Sequence, residues 1–146
     1  MMTVQDLMRH ASGLTYPQFG DSPVQMIWRG VNLMAEEQTN EELVGKLASL
    51  PLMFEPRTTW EFSMSTDVLG RVVEVVSDRC LADFFASRIL GPLSITDTAF
   101  EPTGEQAACI AEPQADPATG AQPPMRNVTR PASLGLGRQR ARLDCG

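Results

Sequence analysis

A single lysine, a single histidine and three cysteines limit what this 146-residue chain could catalyse. One way to activate a serine is a Ser-x-x-Lys arrangement, with the lysine one helical turn after the nucleophile. Lys46 is the only lysine and Leu43 stands three positions before it, so the arrangement is absent from these residues. One histidine, His10, excludes a multi-histidine metal site. Cys80, Cys109 and Cys145 lie 29 and 36 positions apart, far from the close Cys-x-x-Cys spacing of zinc and redox motifs. The thiols read as structural or incidental, and no metal or other cofactor is expected. His10 has the chemistry of a general base, but the sequence places neither a nucleophile nor an acid with it. Ser12, before Gly13, reads as a loop hydrogen-bonder, and Ser63 has no base at a fixed spacing.

The elements that would position these residues read as helices. Thr3-Val4-Gln5-Asp6 is a capping-box-like start for a short first helix that ends at Ser12-Gly13. The stretch from Thr15 to Pro23 holds two prolines, a glycine and an aspartate and reads as a loop. A second helix follows Pro23, capped by Asp21 or Ser22, with Val24, Ile27, Trp28, Val31, Met34 and Ala35 at helical spacing and Trp28 in the core. Asn40 is the expected cap of a third helix, with Glu41 and Glu42 complementing its dipole and Leu43, Val44, Leu47 and Leu50 as its buried stripe. Ser65 or Thr66 caps a fourth carrying Val68, Leu69, Val72, Val73 and Val76, and Asp67 in its first turn favours helix over strand. A fifth runs from about Leu81 to Leu90 with Leu81, Phe84, Phe85 and Ile89 inward, stopped by Pro92. Asp97 and Thr98 read as local backbone bonding.

Four blocks in this order resemble the β-lactamase-related serine hydrolases, the family of class C β-lactamases, D-Ala-D-Ala carboxypeptidases and family VIII esterases. They are Thr3 to Leu14, containing His10-Ala11-Ser12-Gly13-Leu14; Pro51 to Pro56; Trp60 to Gly70; and Pro92 to Phe100. The resemblance implies a mainly α fragment, the helical subdomain of the α/β β-lactamase or penicillin-binding-protein-like fold, with little sheet. It also implies acyl transfer in the family: a Ser-x-x-Lys serine attacks a carbonyl, a tyrosine motif moves the proton, and the substrate is a small ester or amide. Phe62, Ser63 and Met64 occupy the position of the Tyr-x-Asn-like motif, so no catalytic residue is intact. Phenylalanine keeps the ring and lacks the exchangeable proton, and Met64 cannot make the hydrogen bonds of an asparagine. The family's nucleophile normally lies upstream of the His10 block, so the segment carrying it is expected to be missing.

His10 then reads as a turn residue. Tyr16 reads as a partly exposed loop aromatic in preference to a cleft residue, while Trp60 either flanks a vestigial cleft or packs. Arg57, Asp78 and Ser94 stand where the family usually has glycine. Strain is expected at Arg57 and Asp78 if the backbone there needs positive φ.

The formal charge of −6 conceals an asymmetry. Residues 1–125 carry 7 basic and 17 acidic side chains, whereas 126–146 carry five arginines, Arg126, Arg130, Arg138, Arg140 and Arg142, against Asp144. Three regions follow: a partial β-lactamase-related domain over 1–103, a Pro-rich extended continuation over 104–130, and a basic, disordered tail over 131–146. A frameshift near residue 131 would explain the charge reversal; family-like coding in the neighbouring frame tests it. The tail lacks interleaved aromatics and lysines, so a solvated end is preferred to a nucleic-acid arm. No apolar run approaches a membrane span of roughly 20 residues, the start does not read as a signal peptide, and no compartment is assigned. The expectation is a soluble fragment of a serine hydrolase, inactive alone. The alternatives are a non-catalytic interaction module, or one part of a split hydrolase, either of which would self-associate or bind a partner chain through an exposed apolar face.

Overall fold

A computed structural model describes residues 1–35, 38–100, 106 and 119–120. The described residues form five short helices and no strand: α1 (Val4–Met8), α2 (Pro23–Arg29), α3 (Asn40–Ala48), α4 (Ser65–Ser77) and α5 (Leu81–Phe85), the last continued by a π-helical turn, Ala86–Leu90. The wider turn is visible in Gly91, whose N–H donates to the carbonyl of Ala86 at 2.9 Å. The Pro-rich continuation and the basic tail, with Cys109 and Cys145, lie outside the described residues.

Three capping boxes define the helix starts. Thr3, Ser22 and Thr39 each accept from the backbone three residues on, where Asp6, Gln25 and Glu42 reach back to the cap N–H. Thr39, not Asn40, is therefore the cap of α3, because its hydroxyl meets the Glu42 N–H at 3.1 Å. Asn40 instead turns to Glu74 on α4 at 3.1 Å. α4 begins after Met64, whose thioether makes no cap bond, so Ser65 and Thr66 are the first residues of the helix and not its cap. α1 ends at Met8 rather than at Ser12-Gly13, as His10 takes a φ of 52° that no right-handed helix allows. α2 stops at Arg29, which leaves Val31, Met34 and Ala35 outside it and Ile27 exposed.

The core joins these ends. Leu7, Leu14, Trp28, Leu33, Leu43, Leu47 and Met64 form one buried cluster, with Val68 and Leu69 packed against it. Trp28 is completely enclosed and its indole N–H donates to the Pro51 carbonyl at 2.8 Å. Glu74 ties three helices: it accepts from Asn40 of α3 and from the Leu81 N–H at the start of α5, and pairs with Arg71 at 3.4 Å. Val76 points outward and Val68, Val72 and Val73 are only half-buried, so the expected valine stripe of α4 is not enclosed.

Arg57, Asp78 and Ser94 have φ of 75°, 53° and 53°, the left-handed conformation that the resemblance to glycine positions implied. Arg57 recovers a contact, because its Nε donates to both oxygens of Asp6 at 3.2 Å. The Thr3 hydroxyl, the Thr3 N–H and Arg57 hold the Asp6 carboxyl below its ordinary value of 3.8, against the effect of burial. A lowered folded-state pKa stabilises the fold above the unfolded value and that contribution disappears as pH falls through the folded one. The contribution of Asp6 to the urea midpoint should therefore be complete above about pH 5 and be lost below about pH 4. Asp6→Asn should lower the midpoint at pH 7 and make the acid fall shallower, which paired urea titrations of the two chains check.

Candidate functional site

Two chain segments that are distant in sequence lie side by side and bring together the residues singled out for chemistry. Gly13, Ala11 and His10 accept through their carbonyls from the N–H groups of Met53, Arg57 and Glu61 at 2.8, 2.8 and 2.9 Å. The numbers fall on one segment as they rise on the other, so the two run antiparallel. Gly13 permits the approach: its φ is 84°, and a Cβ there would lie 2.1 Å from the Phe54 carbonyl oxygen. The second segment then leads through Trp60 to Met64 into α4.

Behind this contact lies a chain of hydroxyls. Ser12 Oγ and Ser63 Oγ each bond Ser65 Oγ at 2.7 Å, and Ser12 Oγ also accepts the Leu14 N–H at 3.2 Å. All three serines have no exposed surface, and Met64 between two of them is 1% exposed. The short backbone bond of Ser12 fits a loop hydrogen-bonder, and the buried chain extends that role across the fold. A buried hydroxyl bonded to other hydroxyls is satisfied, but it has no group that removes its proton. Lys46 offers none: its ammonium donates to the Asn32 carbonyl at 2.9 Å and to Gln38 Oε1 at 2.7 Å.

In front lies an aromatic patch. Phe62 packs with His10, Tyr16 and Phe19 at ring separations of 5.0, 5.6 and 6.4 Å, and Trp60 meets His10 edge-on at 6.2 Å. Trp60 is 68% exposed and Phe62 50%, so Trp60 flanks the patch and is not core. His10 Nδ1 accepts the Ser63 N–H at 3.4 Å, which directs this nitrogen to the backbone rather than to a serine hydroxyl. The Thr15 hydroxyl donates to Glu61, and the Tyr16 hydroxyl donates to Asp67 at 3.5 Å. Asp67 thus faces Tyr16 as well as standing in the first turn of α4. Partial burial first, then the charge and hydrogen bond of Asp67, push the Tyr16 phenol above its ordinary 10.0. Loss of surrounding water likewise raises Asp67 above 3.8, its own hydrogen bonds opposing. The Tyr16 hydroxyl is thus directed to Asp67 and not to a serine of the buried chain.

Sequence reasoning singled out His10, Ser12, Tyr16, Trp60, Phe62, Ser63 and Met64, and the fold collects them within two adjoining segments. It missed the hydroxyl chain, because Ser12 and Ser65 are 53 positions apart and nothing in their local sequence pairs them. Among the described residues no group of three His, Cys, Asp or Glu side chains could hold a metal ion, and no helix is long and apolar enough to cross a membrane.

The described elements are all helical and a serine-rich turn leads into α4, which fits the helical part of a β-lactamase-type fold. The family model described as Beta-lactamase matches residues 1–138, and the chain belongs to that family. It is 37% identical over 101 residues to lovastatin esterase of Penicillium rubens, covering 69% of this chain and 25% of that protein. It is 33% identical over 97 residues to Protein Rv1367c of Mycobacterium tuberculosis, covering 66% and 23%. Esterase EstB of Burkholderia gladioli is 30% identical over 102 residues, covering 68% and 26%. The chain thus spans about a quarter of the length of the curated relatives it matches. It is a serine hydrolase-related fragment.

Proposed function

We propose that these residues form the helical part of an ester-hydrolysing domain and that they hydrolyse nothing alone. The observation that carries this reading is the arrangement of Ser12, Ser63 and Ser65, fully buried and bonded to one another while Lys46 is bonded elsewhere. Phe62 at the position of the family's tyrosine motif supports it, since a phenyl ring moves no proton. Two relatives named as esterases favour an ester over an amide as the substrate of the whole domain. The test is hydrolysis of a short-chain nitrophenyl ester and a chromogenic β-lactam by the purified chain. No rate above buffer is expected.

A second reading, a module that works through a partner, is favoured by what the core leaves out. Among the described residues fifteen large hydrophobic side chains are exposed against seven buried ones. Met26 and Ile27 on α2 and Val75 and Val76 on α4 are each at least half exposed. Such faces are expected to meet a second copy or another part of the domain. Sedimentation velocity across a hundredfold concentration range should show association; a monodisperse monomer throughout contradicts this reading.

A further inference from the structure

His10 holds the segment that leads into α4 at three points. Its carbonyl accepts the Glu61 N–H at 2.9 Å, its Nδ1 accepts the Ser63 N–H at 3.4 Å, and its ring packs on Phe62 at 5.0 Å between ring centres. Backbone and side chain of one residue, at a φ of 52°, thus meet the same segment. Only the Nδ1 bond depends on charge. A neutral imidazole offers one nitrogen as acceptor, whereas a protonated one carries N–H on both and accepts nothing. In the charged state two donors would face each other, and the N–H of Ser63, a residue with no exposed surface, would lose its acceptor. The charged groups around the imidazole are engaged elsewhere or stand in the open. Asp6 of α1 pairs with Arg57, the Glu61 carboxylate accepts from Thr15, and Asp67 of α4 accepts from Tyr16, whose ring packs on Phe62. Arg9 and Glu55, on the two adjoining segments, are exposed. Among the described residues none forms an ion pair with His10. A charged ring would still lie beside Phe62, within the roughly 6 Å over which a cation and an aromatic face attract, so it is not expelled.

We infer that His10 is a positioning residue whose uncharged imidazole holds the Ser63 backbone, and that proton uptake by the ring releases this end of the segment while the Glu61 bond stays. Phe62, Ser63 and Met64 stand in the place of the family's tyrosine motif, so the order of that motif depends on pH. Hydrolysis plays no part in the release.

Amide hydrogen exchange of the full chain, followed by NMR from about pH 8 to about pH 5.5 and corrected for the intrinsic rate, provides the measurement. Protection of the Ser63 N–H should fall about tenfold along the same midpoint as the His10 ring signals. That of the Glu61 N–H, bonded to a carbonyl, should stay. His10→Asn separates the ring's charge from its place. Asparagine tolerates left-handed φ, its Oδ1 sits on Cγ as Nδ1 does and accepts an N–H, and it does not titrate. Ser63 should remain protected in this variant at both ends of the range, with an unchanged Trp28 indole signal verifying the fold. Unchanged Ser63 protection through the His10 titration overturns the inference. So does an equal fall at Glu61, which marks general loosening. An equal fall in His10→Asn overturns it by assigning the effect to a carboxylate such as Asp67, and low Ser63 protection in that variant at both ends denies the role of Nδ1.

Discussion

Gly13→Ala is expected to destabilise the chain by about 3 kcal/mol, more than its single added methyl suggests. The left-handed backbone costs a residue with a Cβ about 1 to 2 kcal/mol. The remainder comes from the neighbour, because the new Cβ would sit 2.1 Å from the Phe54 carbonyl oxygen and that backbone must move. Moving it strains the bond from the Met53 N–H to the Gly13 carbonyl, a contribution of about 1 kcal/mol. The same substitution at Gly45 is the control. Nothing lies within 4 Å of a Cβ there and the residue sits inside α3, so Gly45→Ala should be neutral or stabilise by up to about 1 kcal/mol. Urea unfolding of the three chains compares them. Equal midpoints for wild type and Gly13→Ala would show that segments 10–13 and 53–61 do not meet as described. Because those segments place Ser12 and Ser63, the loss should extend to the packing of Phe62 on His10.

Trp28→Ala is expected to cost about 3 to 5 kcal/mol, the range for removing a fully enclosed large aromatic. Small domains have a total stability of only about 5 to 15 kcal/mol, so the variant should be close to unfolded at 25 °C. Two losses combine: the cavity left beside the Leu7, Leu43 and Leu47 cluster, and the Pro51 carbonyl deprived of its indole donor. Trp28→Phe separates them. It retains most of the ring volume and loses the 2.8 Å hydrogen bond, so it should cost about 1 to 3 kcal/mol. Calorimetric melts of the two variants measure the difference. Little loss in Trp28→Ala would place the indole outside the core.

Much of this arrangement was legible in the sequence because its signals are local. Thr3 with Asp6 announces a helix start within four residues, and Trp28 stands on an apolar stripe whichever way α2 ends. The resemblance at Arg57 and Asp78 carried backbone information, since both stand where the family usually has glycine and both take a left-handed φ. Helix ends were less legible. Thr39 and Asn40 are both good caps, and only the reach of Asn40 to Glu74 across to α4 decides between them. The end of α1 depends on His10 adopting positive φ, a conformation histidine takes more readily than most residues but still only rarely, so its type alone does not announce it. Within the site the local motif located Phe62, Ser63 and Met64, whereas their company is tertiary. Tyr16 reaches Asp67 across 51 positions and Ser12 reaches Ser65 across 53, distances over which periodicity says nothing.

Catalytic silence rests on serines that are buried without a base, and its most direct test is the hydrolysis rate of a short-chain nitrophenyl ester with the purified full chain. The expected rate equals that of buffer across about pH 6 to 9, throughout which an unactivated serine stays protonated. Ser12→Ala, Ser63→Ala and Ser65→Ala chains should give the same zero. Turnover above buffer that disappears in any one of these variants would contradict the reading, because it would show a serine activated by a group that the fold, as described, does not supply.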